Sequence, residues 1–153
     1  MFIGEYTHSL DTKGRVALPA KFRPKLGDGA IIARGLDHCL FVFTKESWEK
    51  LTVKIAGMSF MKSDSRAFAR LMLAAASEVE YDKQGRIINP ENLRAYASLS
   101  SGGGSASGGK RQVVFAGLYD RIEIWDEANW KSYKSKTEAS SDDIAEKLGE
   151  LGL

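Results

Sequence analysis

The stretch Asp11-Thr-Lys-Gly14-Arg15-Val-Ala-Leu-Pro19-Ala-Lys-Phe22-Arg23 returns as Asp82-Lys-Gln-Gly85-Arg86-Ile-Ile-Asn-Pro90-Glu-Asn-Leu93-Arg94, 71 residues further on. Five of the 13 positions are identical, and Val16/Ile87 and Phe22/Leu93 agree in character. The chain therefore reads as two copies of one unit. In each copy a short extended piece (6–10, 78–81) reaches Asp-x-x-Gly-Arg and resumes as a β-prone run (15–18, 86–89). This is a hairpin signature: glycine supplies the positive φ of a tight loop, and the aspartate bonds the loop backbone. Asp11, Gly14, Asp82 and Gly85 are thereby assigned to the loop itself. Proline then opens a short helix, expected over 19–26 and 90–97.

A second repeat follows at an offset of 82: Ile31 to Phe43 and then Trp48, against Val113 to Trp125 and then Trp130. Each segment splits at Gly35-Leu-Asp-His or Gly117-Leu-Tyr-Asp, which predicts another hairpin. Ile122 and Ile124 alternate with Arg121 and Glu123, so the sheet is expected to keep one wet face. Thr44 and Asp126 are set as helix N-caps. Trp48 and Trp130 are read as core anchors.

The two offsets differ because Ser100 to Gly109, built only of Ser, Gly and Ala, interrupts the second copy. That composition is a flexible linker with nothing to bury. It reads as an engineered insertion and is left out of the fold argument. Between the copies, Phe68, Leu71, Met72 and Ala75 recur at helical spacing, as do Ile144, Leu148 and Leu151 near the C-terminus. The organisation expected is a first unit at 1–60, a connecting helix at 61–76, a second unit at 77–137 and a C-terminal helix at 138–153, docked on the body or on a neighbouring subunit.

Composition narrows the function. Met1 leads into Phe2-Ile3-Gly4 without a basic or apolar leader, and no apolar run approaches a membrane span, so a cytoplasmic protein with no membrane partner is expected. Cys39 is the single cysteine, read as buried filler. His8 and His38 belong to no metal or triad spacing, and Asp11 and Asp82 are explained by their turns. The expectation is no enzyme, no metal, no cofactor and no small-molecule substrate.

The net charge of +2 is small but unevenly spread. Residues 1–76 hold 12 basic against 7 acidic side chains, residues 77–153 hold 10 against 13, and residues 12–27 carry Lys13, Arg15, Lys21, Arg23 and Lys25 with no acid. A loop needs its glycine but not an arginine after it in both copies. Two readings stand side by side: an ion pair with an acid such as the motif aspartate, or an arginine offered to a DNA groove. There a bidentate bond to guanine O6 and N7 discriminates by roughly 1–3 kcal/mol. Lys13 and Lys83 beside Arg15 and Arg86, with Lys21, would bind phosphate without reading sequence.

These residues, with Met1-Phe-Ile-Gly-Glu-Tyr6 at the start and Gly117-Leu-Tyr-Asp-Arg-Ile-Glu-Ile-Trp125 later, resemble the MraZ family. The resemblance implies an α+β fold of two tandem, pseudo-repeated, swapped-hairpin AbrB-like units: a small β-barrel or sheet with flanking helices, joined by a helix. It further implies a nucleoid-associated transcriptional regulator, usually a repressor, that binds direct repeats in the double-stranded promoter DNA of its own operon as a ring-shaped homo-oligomer, octamer or larger. The family's DNA-contacting motif falls on Asp11, Lys13 and Arg15, and on Asp82 and Arg86. Gln84 stands where the first copy has Lys13, so the first unit is expected to supply more phosphate affinity. The alternative weighed against this is a ring-forming scaffold whose assembly is itself the function.

Overall fold

The computed structural model describes residues 1–99 and 111–152, so Ser100–Gly109 and the expectation attached to it lie outside the described residues. Among the described residues, eight strands and six helices follow in chain order. The first half contains β1 (Phe2–Leu10), β2 (Arg15–Ala17), α1 (Arg23–Leu26), β3 (Gly29–Arg34), β4 (Leu40–Phe43), α2 (Lys45–Ala56) and α3 (Ser63–Leu73). The second contains β5 (Ser77–Glu80), β6 (Arg86–Ile88), α4 (Glu91–Tyr96), β7 (Arg111–Tyr119), β8 (Arg121–Asp126), α5 (Glu127–Ala139) and α6 (Ser141–Glu150).

The strands form one antiparallel sheet in the order β5-β3-β4-β8-β7-β1-β2-β6. Strands of the two copies alternate in pairing. β1 runs beside β7 over its whole length, Phe2 opposite Tyr119 and Leu10 opposite Arg111. Its counterpart β5 lies beside β3, β2 pairs with β6, and β4 with β8. The two motif loops are closed alike, Asp11 N–H to Arg15 C=O at 2.9 Å and Asp82 N–H to Arg86 C=O at 2.9 Å. Beyond each loop the arms separate to join strands of the other copy. This is the swapped-hairpin α+β architecture, rolled into a nearly closed barrel.

One core fills the barrel. Val16, Leu18, Ile32, Leu40, Val42, Ile87, Leu93, Leu99, Val113, Phe115, Ile122 and Ile124 are fully buried in it. Both halves of the chain contribute, so the core belongs to neither copy alone. Thr44 Oγ1 caps α2 through Ser47 N–H (3.0 Å) and an Asp126 carboxylate oxygen caps α5 through Asn129 N–H (3.1 Å), as the sequence predicts. Trp48 tilts against Phe43 and Trp130 against Trp125, each half-buried, so they tether helices to the sheet rather than filling its centre.

Four local expectations are corrected. The first helix begins at Arg23 rather than Pro19, because Pro24 has no N–H to bond back to Ala20 and is tolerated only in a first turn. Pro90 is the N-cap of α4, one position outside it. β7 runs through Gly117 to Tyr119, and the chain turns at Tyr119–Asp120, with Leu118 opposite Arg121. The cause is β1, which holds that end of β7 extended; β3 has no such partner beyond Ile32 and bends at Gly35. A Cβ on Gly117 would come 2.7 Å from the Phe2 carbonyl carbon, so glycine there permits close strand approach rather than a turn. Finally, Glu123 is buried, accepting from the Trp125 indole (3.0 Å) and from Arg121 (3.3 Å). A second small cluster of Cys39, Val114 and Trp125, flanked by Phe41 and Trp130, covers that face.

At the far end, Ile144, Leu148 and Leu151 are all exposed and no residue of α6 is buried, so this helix does not dock on its own barrel. Among the described residues no helix is long and apolar enough to cross a membrane.

Candidate nucleic-acid interface

Each motif loop is organised by its aspartate. Asp11 Oδ1 accepts from the backbone N–H groups of Lys13 (2.9 Å) and Arg15 (2.8 Å), and Oδ2 accepts from Arg15 Nε at 2.6 Å. The second copy repeats this atom for atom. Asp82 Oδ1 accepts from Gln84 (2.8 Å) and Arg86 (2.9 Å), and Oδ2 from Arg86 Nε at 2.7 Å. The fourth residue takes positive φ, 79° at Gly14 and 71° at Gly85. Burial pushes the Asp11 carboxyl upward, but the N–H and guanidinium of Arg15 with the Lys13 N–H outweigh it and hold the group below the usual carboxylate range. Asp82 is held low by the Arg86 N–H first, against a smaller desolvation.

The ion-pair reading of the arginine is thus realised in both loops. The ion pair exists, but it engages Nε alone, and the terminal guanidinium nitrogens of Arg15 and Arg86 make no hydrogen bond among the described residues. An aspartate that grips Nε fixes where the outer nitrogens point. The arginines remain 32% and 29% exposed.

The β2–β6 register puts them on one face. Val16 lies opposite Ile87, and both are fully buried. Residues opposite each other in an antiparallel ladder share a face, and successive residues alternate. The pairs on either side, Arg15 opposite Ile88 and Ala17 opposite Arg86, therefore face outward. Arg15 and Arg86 are diagonal neighbours, about 7–8 Å apart. A two-stranded ribbon is narrow enough to enter a DNA major groove, which is about 12 Å wide.

Each loop is braced by the opposite copy. Asn89 N–H bonds to Gly14 C=O (3.0 Å) and Leu18 N–H to Gly85 C=O (3.2 Å). The Arg94 guanidinium lies against Gly14, where an added Cβ would come 2.7 Å from its central carbon, and Arg23 lies likewise against Gly85. Arg23 Nε also donates to Leu18 C=O at 2.8 Å. Arg23 and Arg94 form one of the five identities in the repeat, yet their role was not read from it, because it depends on a cross-copy contact.

Lys13 and Lys83 stand exposed in their loops. Lys21 is exposed in the turn before α1, and no hydrogen bond or ion pair among the described residues ties it to either loop. Lys25 turns away to the Met1 carbonyl, so the acid-free stretch does not form one patch. Cys39 is buried, with its thiol pushed up by desolvation.

The family model of MraZ protein, of antitoxin-like description, matches this chain twice, over residues 1–71 and 72–150. The chain belongs to the MraZ family. Among its relatives, a protein of Acetivibrio thermocellus named Transcriptional regulator MraZ is 45% identical over 153 residues, covering all of both chains. Proteins of the same name from Natranaerobius thermophilus and Thermoanaerobacter pseudethanolicus are 47% and 43% identical over 153 residues, again covering all of both. The boundary between the two family matches, after residue 71, falls inside α3 near its C-terminal end, while the strands they contain interleave across the barrel.

Proposed function

We propose that this chain is a DNA-binding transcriptional regulator that acts as a repressor on direct repeats in the promoter of its own operon. The observation that carries the reading is the outward face of the β2–β6 ribbon, where Arg15 and Arg86 are aimed by identical aspartate grips. In this reading the arginines take guanine edges, and Lys13, Lys83 and Lys21 contact phosphate, with asymmetric strength because Gln84 replaces the first copy's lysine. The shared name of the relatives supports a regulator rather than an enzyme.

One ribbon makes a small contact, so the affinity is assigned to several copies held in a closed ring that engages successive boxes together. Two features support assembly. A groove of ≈ 840 Å³, lined in part by Phe41, Phe43, Leu51 and Phe68, is open beside α2 and α3. The apolar face of α6 is uncovered within the subunit.

The test is Arg15→Ala, with Arg86→Ala as companion, in a gel shift on the promoter fragment upstream of the protein's own gene. Binding is expected to fall by about fivefold or more, from roughly 1–3 kcal/mol per guanine contact, while light scattering reports an unchanged assembly. Undiminished binding by both variants would refute the assignment. A ring without salt-dependent preference for that fragment over random duplex would favour the scaffold alternative.

A further inference from the structure

The outward face of the ribbon carries two side chains besides its arginines, and there the copies differ. Ala17 lies opposite Arg86, and Ile88 lies opposite Arg15. Ile88 is 58% exposed. A single exposed apolar residue is ordinary on a protein surface, and a β-branched residue suits a strand. This one, however, sits at a fixed ladder position beside a guanidinium whose outer nitrogens are free to take a ligand. Directly opposed side chains in such a ladder lie about 5 Å apart at Cβ, so whatever Arg15 touches, Ile88 approaches.

We infer that Ile88 is a base-reading residue, packing on the C5 methyl of a thymine next to the base taken by Arg15. In the major groove that methyl is the one apolar group a base pair offers, and it distinguishes thymine from every other base. The isoleucine is shorter than the arginine, but the methyl projects from the base edge towards it. Ala17 offers only a single methyl beside Arg86, so it reaches less far towards the base edge and covers less of a thymine methyl. The pseudo-twofold symmetry of the ribbon's outward face is therefore broken at this pair. Twofold-symmetric readers pair with palindromes; a ribbon with an apolar reader on one side only recognises a box that has a direction. Copies arranged by rotation in a ring would read such boxes head to tail.

This inference rests on the ribbon being the DNA-reading face, and the experiment separates the two. Binding sites are selected from a randomised double-stranded library by the unmodified protein, by Ile88→Ala, and by the reciprocal double variant Ala17→Ile with Ile88→Ala. The unmodified protein is expected to enrich a box with thymine beside a guanine. Ile88→Ala should keep the guanine and lose the thymine, and the double variant should enrich the box in the reverse sense. Replacing that thymine by uracil, which removes only the methyl, should weaken the unmodified protein about fourfold, the worth of one buried methyl, and leave Ile88→Ala unaffected. Because the uracil arm uses the unmodified protein, it does not depend on any variant folding. An unchanged motif for Ile88→Ala, or no effect of uracil, overturns the inference and leaves the ribbon assignment standing. A change in subunit number by light scattering with the motif intact also overturns it, making Ile88 a subunit contact. If the unmodified protein enriches no motif, the DNA-reading face itself fails.

Discussion

Replacing Asn89 by leucine is expected to stabilise this protein without touching its proposed DNA face. Asn89 is fully buried, and neither its amide nitrogen nor its amide oxygen has a hydrogen-bond partner among the described residues. Its repeat mate is Leu18, also fully buried and part of the central core. The backbone role is the same at both positions, since each donates its N–H to the glycine carbonyl of the opposite loop. Only the side chain differs. Leaving a buried polar group unsatisfied costs about 1–3 kcal/mol, and leucine has the same branching and nearly the same shape, so little overpacking strain is added. The net gain is about 2 kcal/mol, which for a chain of this size raises Tm by roughly 4–8 °C. Urea titration followed by circular dichroism, with a thermal scan beside it, measures both quantities. An unchanged or lowered midpoint for Asn89→Leu would mean that the amide is satisfied in solution, and the reasoning would fail.

Gly14→Ala is expected to lose about 1–3 kcal/mol, because φ is 79° there and the new methyl would displace the Arg94 guanidinium. Its control is Gly149→Ala in α6, where nothing lies within 4 Å and alanine should gain about 0.5–1 kcal/mol of helix stability. Asp11 and Asp82 have folded-state pKa values below their unfolded ones, so the stability they add is present above about pH 4 and is lost as pH falls through the folded values. The urea midpoint should therefore drop on acidification below about pH 4, and the double variant Asp11→Asn with Asp82→Asn should flatten that drop; an equally steep profile would exclude the motif carboxylates as its source.

What the sequence made legible was local chemistry. The Asp-x-x-Gly-Arg loop needs only five consecutive residues, and the caps at Thr44 and Asp126 need only four, so both were readable from types and spacing alone. The repeat itself announced two loops of one kind. Harder to read was anything decided by a strand from the other copy. Nothing near Gly117 tells that β1 will lie beside it and hold the chain straight through Tyr119. Nothing near Glu123 tells that a cluster around Trp125 will cover a face whose alternation reads as wet. Arg23 and Arg94 were visible as identities, but their purpose is to lie on the loop of the opposite copy. The outward face of the ribbon was also hidden, since it follows from Val16 and Ile87 meeting across copies.

That pairing has a consequence for how the molecule comes to be one chain. A single copy made separately would leave β1, β2, β3 and β4 each without its partner from the other copy, and it could complete the barrel only by finding a second copy in solution. Its folding would then depend on concentration. Joining the copies through α3 replaces that encounter with an intramolecular one, whose effective concentration is fixed by the connection. It also releases the halves from identity. Two separate, equal copies must change together at every position, whereas one covalent chain can hold leucine at 18 and asparagine at 89, lysine at 13 and glutamine at 84, alanine at 17 and isoleucine at 88. The fusion thus lets a symmetric scaffold acquire a front and a back.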